Sequence, residues 1–183
     1  MSTIHSISPS FDLANEAGYQ AWREAKLAGV ATQPVDRVVL VNDVAALTGQ
    51  EHAAILERCR HSNLAIYEVT GEVETDKQAI RAFGRQFGLE SLDMNLRADE
   101  DSITSLRVVA ASTGTHYIPY TNRPLNWHTD GYYNRLDKQV RGIVMHCVSV
   151  PASGGDNLFL DPELAYLLLR DENPDYILSL IHI

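Results

Sequence analysis

The chemistry-bearing residues of this chain stand in "NWHTD", residues 126–130, where His128 and Asp130 are two apart behind Trp127. On a β-strand, residues i and i+2 point to the same face, so the imidazole and the carboxylate would converge. One histidine nitrogen and one carboxylate are two of the three ligands of the facial triad that binds non-haem Fe(II). The spacing therefore predicts part of a metal site, with a third ligand still to be found.

Three other segments accompany this motif in the sequence. They are "FGRQFG" (83–88), the apolar run "GIVMHCVSV" (142–150) and the turn "SGGDNLFLD" (153–161). Together with "NWHTD" they resemble the taurine dioxygenase family of Fe(II)- and 2-oxoglutarate-dependent oxygenases. The resemblance extends from about residue 38 to about residue 177.

The resemblance implies an enzyme that hydroxylates a small organic substrate with dioxygen while 2-oxoglutarate is decarboxylated to succinate. It places His128 and Asp130 at two Fe(II) ligand positions. Asn157 stands where the family commonly has a threonine that helps to hold 2-oxoglutarate, the co-substrate. His116 and Tyr132 flank the motif and are candidate residues of a substrate pocket.

The resemblance also implies a double-stranded β-helix, or jelly roll, with flanking helices. The family's second iron histidine and its 2-oxoglutarate arginine lie on late strands, whereas this chain ends at Ile183. His182 and Arg170 fall in predicted helices and match neither role. We therefore expect a single truncated domain, 1–183, with an N-terminal helical extension (1–35) and an incomplete jelly-roll core (36–183).

Two alternatives remain open from the residues. The chain could be a non-catalytic remnant or interaction subunit, forming a homo-oligomer or associating through sheet edges left exposed by the missing strands. It could also be a zinc-dependent hydrolase that uses His128, Asp130 and either His116 or His146. His146, however, is better explained as a hydrogen-bonded histidine within a predicted strand.

Composition limits the classes of partner. The formal net charge of −9 argues against nucleic acid, because phosphate binding depends on clustered Lys and Arg. No apolar run is long enough to cross a membrane. The two cysteines, Cys59 and Cys147, are far apart and have apolar neighbours. We expect buried free thiols and a cytoplasmic location, because disulfides are rare in the reducing cytosol.

Periodicity and capping signals predict a mixture of helices and strands, which we interpret as an α+β or mainly β fold. A capping box at Thr48 and another at Thr75 each mark a helix start. Gly88 is placed to end the second of these helices. The predicted helices cover 12–29, 49–60, 76–87 and 162–170 and one that begins at 173–174, and the predicted strands cover 37–41, 64–69, 105–111, 139–150 and 157–160.

Overall fold

The computed structural model describes residues 8–30, 38–71, 76–92, 102–108 and 118–180. They fall into two compact units, the first within 1–43, 47–73 and 149–183, and the second within 44–46 and 74–148. The described residues form helices and strands with these bounds: α1 (Glu16–Ala28), β1 (Val38–Val41), α2 (Gly49–Ser62), β2 (Ile66–Val69), α3 (Lys77–Gln86), α4 (Pro162–Glu172) and α5 (Pro174–Leu180). Two short 3-10 turns lie at Ile118–Tyr120 and Leu136–Lys138.

In the first unit, β1 and β2 form a parallel pair connected through α2. Val38 is aligned with Ile66, and Val41 with Val69. Parallel strands need such a crossover connection, and a helix is its usual form. Val39 and Val41 are buried while Leu40 between them is exposed, as the two-residue period of a strand requires. The predicted strand at 37–41 is confirmed over 38–41, while residue 37 lies outside the described residues, and the predicted strand at 64–69 is confirmed over 66–69.

The capping box at Thr48 is confirmed. The Glu51 amide donates to the Thr48 hydroxyl at 3.2 Å, and the Glu51 carboxylate accepts from the Thr48 amide at 2.7 Å. Amide donors from Asn42 and then Thr48 hold the pKa of Glu51 below its usual range. Helix α2 ends at Ser62, and the next residue, Asn63, is its C-cap. The φ of Asn63 is 52°, a left-handed conformation that asparagine adopts at helix ends.

The predicted second capping box is corrected by one residue. The N-cap of α3 is Asp76, whose carboxylate accepts from the Ala79 amide at 2.8 Å, whereas Thr75 lies outside the described residues. At the other end, Gly88 has a φ of 77° and donates its amide to the Arg85 carbonyl at 3.0 Å. Glycine adopts this left-handed conformation without a Cβ clash, so the predicted stop at Gly88 is confirmed.

The later strands are not formed in the described residues. Segments 139–150 and 157–160 and the described part of 105–111 have no strand there, while residues 109–111 lie outside the described ranges. In the described chain, helices predominate over one two-stranded sheet. The mixed α and β content is confirmed, but the mainly β form and the jelly roll are not. A strand needs a neighbour for its ladder, and local pattern cannot supply one.

Helix α4 packs against α1 within the first unit. The buried Tyr19 hydroxyl lies 2.7 Å from an Asp171 carboxylate oxygen and 3.3 Å from the Leu167 carbonyl. Burial, and then the hydrogen bond and charge of Asp171, raise the pKa of Tyr19 to about 12. The ring packs at 6.0 Å from Trp22 and at 6.5 Å from Tyr166, measured between ring centroids. An aromatic cluster therefore joins the two helices.

The cysteine prediction is half wrong. Neither cysteine forms a disulfide in the described residues, and Cys59 is half-buried, with its thiol pKa raised by burial. Cys147, however, is exposed, because the apolar segment around it has no sheet to cover it among the described residues.

Among the described residues, no helix is both long and apolar enough to cross a membrane. The division into 1–35 and 36–183 stays a prediction.

Candidate metal centre

The segment that carries the metal motif is a turn and not the predicted strand. Residues 126–129 have irregular backbone, and the chain turns at 130–133. Gly131 has a φ of 69°, and a Cβ added there would lie 2.5 Å from Cγ2 of Val140. The Asn134 amide closes the turn on the Gly131 carbonyl at 2.8 Å. Glycine is therefore required immediately after Asp130, for both its φ angle and its lack of a side chain.

The turn nevertheless brings the two predicted ligands together. Nε2 of His128 lies 3.3 Å from Oδ1 of Asp130. Nδ1 of the same ring lies 2.8 Å from the Asn126 carbonyl oxygen. A carbonyl can only accept, so Nδ1 carries the hydrogen, and in the neutral ring Nε2 presents its lone pair. Two electron-pair donors then face each other, an arrangement that a proton or a metal cation between them stabilises.

The pair fits two positions of a metal ion. Around an octahedral ion with bonds of about 2.1 Å, neighbouring ligand atoms lie about 3.0 Å apart. The observed 3.3 Å is close to that separation. The backbone carbonyl that orients His128 is the kind of support that metal-binding histidines commonly have. With 45% of the His128 side chain and 59% of the Asp130 side chain exposed, further coordination positions would be accessible from solvent.

The other predicted site residues are placed as follows. Asn157 lies in the first unit, with an exposed side chain whose Nδ2 donates to the Gly155 carbonyl at 3.3 Å. Tyr132 lies in the second unit, within the turn at 130–133, and is exposed, with its ring centroid 5.3 Å from that of Tyr133. His116 is outside the described residues. Their predicted roles remain predictions.

A third ligand is not found in the part of the chain that the structure describes. In those residues no group of three His, Cys, Asp or Glu side chains could hold a metal ion. His146 is half-buried, which lowers its pKa and favours the neutral ring. The strand expected around it is not formed. The zinc hydrolase hypothesis, which needs His146 or His116 beside the pair, therefore has no support from the described residues.

Arg170 is fully engaged in the first unit. Its buried guanidinium donates to the carbonyls of Ser10 and Asp12 and to the Tyr166 hydroxyl, at 3.0 to 3.3 Å. It also lies 3.9 Å from the centroid of the Tyr19 ring. These contacts assign Arg170 to packing of the N-terminal segment against α4. They agree with the inference that it is not the co-substrate arginine.

Two residues that shape the site, Asn126 and Gly131, were not predicted from the sequence. The Asn126 contact is made by a backbone carbonyl, which leaves no side-chain signal in the sequence. Gly131 did leave one, since Asp-Gly is a dipeptide that marks tight turns. With that signal, residues 130–131 would have been predicted as a turn rather than as the end of a strand.

A known protein family matches most of the chain. A profile of the family described as "Taurine catabolism dioxygenase TauD, TfdA family" matches residues 29–183. The chain belongs to this family. The match confirms the resemblance and contains the His128–Asp130 pair as well as Asn157. Members of the TauD, TfdA family are in general non-haem Fe(II)- and 2-oxoglutarate-dependent dioxygenases. No significant match is found among curated proteins or among solved structures.

Proposed function

We propose that the chain acts in an Fe(II)- and 2-oxoglutarate-dependent dioxygenase that hydroxylates a small organic substrate and releases succinate and carbon dioxide. The observation that carries this proposal is the 3.3 Å approach of His128 Nε2 to Asp130 Oδ1. It lies inside the segment that matches the TauD, TfdA family. A family match alone would leave the ligands unassigned, and a bare H-x-D spacing alone is common by chance.

In this proposal His128 and Asp130 hold Fe(II) at two neighbouring positions, and the jelly roll of the family surrounds them. Fe(II) would supply the binding and activation of dioxygen and the chelation of 2-oxoglutarate. The Asn126 carbonyl keeps the proton on Nδ1, so that Nε2 stays available as a ligand. Asp130 contributes one negative charge, which would offset part of the charge of a divalent cation.

Asn157 is proposed as a donor to the 2-oxoglutarate carboxylate. Its Nδ2 group makes only a long, 3.3 Å bond to the neighbouring Gly155 carbonyl, on an exposed side chain. Such a bond is exchanged for one to a carboxylate at little cost, because charged acceptors form stronger hydrogen bonds. The second histidine and the arginine that the family resemblance implies are assigned to no described residue.

Formation of succinate from 2-oxoglutarate tests this function. We expect the chain to form succinate only with Fe(II) and dioxygen, and Asp130→Ala to lower the rate by more than about 100-fold, through loss of a metal ligand. Asp137→Ala is the matched control, because Asp137 is 66% exposed and also has a partner, Arg135, at 3.3 Å. Succinate formed without iron, or not formed at all, would refute the proposal.

We also propose self-association, which the alternative of an interaction subunit shares. Apolar side chains in the irregular segments around residues 150 and 158 are exposed, with 85% of Val148, 87% of Val150 and 77% of Leu158 in contact with solvent. Apolar surface of this kind favours contact with a second copy. We expect dimers or larger species in analytical ultracentrifugation, shifted towards monomer by Val148→Lys with Val150→Lys. A single sharp monomer boundary for the unaltered chain would disprove self-association.

A cytoplasmic location is proposed because the Cys59 and Cys147 thiols are not joined in a disulfide in the described residues. An exposed thiol such as that of Cys147 persists most readily in a reducing compartment.

A further inference from the structure

Helix α1 precedes the part of the chain that matches the family and yet packs on a helix within it. The match begins at residue 29, immediately after α1 ends at Ala28. The two helices are antiparallel, because Tyr19 near the start of α1 contacts Asp171 at the end of α4, and Lys26 near the end of α1 contacts Asp161 at the start of α4. An element outside the family match therefore contacts the segment that leads into α4.

The contact at the start of α4 is a buried ion cluster. Nζ of Lys26 lies 2.6 Å from Oδ2 of Asp161 and 2.5 Å from Oε2 of Glu163. Only 4% of the Lys26 side chain and 7% of the Asp161 side chain are exposed. Burial by itself lowers the pKa of Lys26, but its two carboxylate partners raise it overall, so the ammonium stays charged. Buried charges are stable only when paired, so neither partner can leave the contact at low cost.

Asp161 is held from three elements at once. While Oδ2 faces Lys26, Oδ1 accepts from the Glu163 amide at 2.9 Å as the N-cap of α4, and from Nδ2 of Asn63 at 3.0 Å. Asn63 is the residue that ends α2. The four residues before Asp161, 157–160, are exposed. Asp161 is thus the first buried anchor after Asn157.

We propose that Lys26 is a positioning residue for the segment 157–160, acting through Asp161, and that it thereby sets the affinity for 2-oxoglutarate. The second half of this inference rests on the proposed role of Asn157. The first half concerns only the order of the segment. Because a peptide segment fixed at one end samples fewer conformations, anchoring Asp161 lowers the entropy that Asn157 loses when it binds a carboxylate.

Amide hydrogen exchange tests the anchoring without any ligand. The amides that report on Asp161 are those bonded to it, Glu163 to Oδ1 at 2.9 Å and Leu164 and Ala165 to the carbonyl at 3.1 and 3.3 Å. In Lys26→Met, which keeps the aliphatic length and removes the charge, we expect amides 163–165 to exchange at least about tenfold faster. Lys26→Arg should restore slow exchange. Arg23→Met is the matched control, because it breaks the 2.8 Å pair with Asp171 at the opposite end of α4 and should leave amides 163–165 unchanged.

Equal exchange in Lys26→Met and the unaltered chain would overturn the anchoring, and so would the same acceleration in Arg23→Met. If Lys26→Met does not fold, Asp161→Asn decides, since it keeps the cap and removes the ion pair. It should accelerate the same amides, and unchanged exchange there would equally overturn the proposal.

Binding of 2-oxoglutarate tests the second half, by equilibrium dialysis with Fe(II) under anaerobic conditions. We expect Lys26→Met to weaken binding by about tenfold, a loss typical of supporting residues around a site, and Arg23→Met to leave it unchanged. Equal binding by Lys26→Met and the unaltered chain would overturn the positioning role. If the unaltered chain binds no 2-oxoglutarate, the proposed function fails, and with it the effect on affinity, while exchange still decides the anchoring.

Discussion

Replacing His128 with alanine should weaken Fe(II) binding by more than about 100-fold, since loss of a direct ligand exceeds the 10- to 100-fold effect of removing supporting groups. Nε2 of His128 is the nitrogen that faces Asp130, and its tautomer is fixed by the Asn126 carbonyl. Alanine removes that nitrogen and leaves one exposed carboxylate, which binds divalent iron weakly. Anaerobic titration with Fe(II) and a competing chelator measures the dissociation constant.

His61→Ala is the control for this experiment. The His61 side chain is 49% exposed, similar to the 45% of His128. Its Nε2 lies 2.8 Å from Oε1 of Glu57 on α2. The hydrogen bond from His61 holds the pKa of Glu57 below its usual range. His61 and Glu57 therefore form an exposed histidine–carboxylate pair, like His128 and Asp130, but on a helix outside the metal motif. Removal of the His61 side chain should leave the Fe(II) dissociation constant within about twofold, which is a change of about 0.4 kcal/mol or less in binding free energy. Equal losses in the two variants would contradict the assignment of His128.

The second large effect is expected on stability, from Arg170→Met. The guanidinium is buried and satisfies the carbonyls of Ser10 and Asp12. Methionine fills part of the volume but removes the donor to both carbonyls and the cation over the Tyr19 ring, and the Asp12 carbonyl keeps the Asn15 amide at 3.1 Å. A hydrogen bond from a charged donor contributes about 1.5 to 3 kcal/mol, so the free energy of unfolding should fall by about 3 kcal/mol. Urea unfolding followed by Trp fluorescence measures it.

Arg23→Met is the comparison for this prediction. Arg23 pairs with Asp171 at 2.8 Å, but a third of each side chain is exposed, and solvent screens the pair. Its loss should therefore lower the urea midpoint much less than Arg170→Met does. A larger effect for Arg23 than for Arg170 would mean that the exposed pair, and not the buried arginine, holds the N-terminal segment on α4.

The helices were predictable because the signals that start and stop them are local. Thr48 with Glu51, and Asp161 before Pro162, each satisfy the first amides of a helix within three residues. The strands were less predictable, since a ladder depends on a partner distant in sequence. The apolar run at 139–150 has the composition of a strand but does not form one in the described residues.

His128 and Asp130 lie close together, as their spacing predicted, but on a turn and not on a strand, and their role as metal ligands stays a prediction. A turn also brings residues i and i+2 together, so the spacing of His128 and Asp130 gave the right proximity for a different backbone. Neither the Asn126 carbonyl contact nor the Lys26 pair with Asp161 could be predicted. The first involves a backbone atom, and the second joins side chains 135 positions apart in the sequence.

The most direct test of the central claim is a double-mutant cycle on Fe(II) affinity with His128→Ala, Asp130→Ala and the double variant. If both side chains bind one ion, either single change removes the site, and the double variant should bind no more weakly than the weaker single variant. The pair would then be established as one metal site. Losses that add, or affinities that none of the three variants changes, would show that His128 and Asp130 do not share an iron.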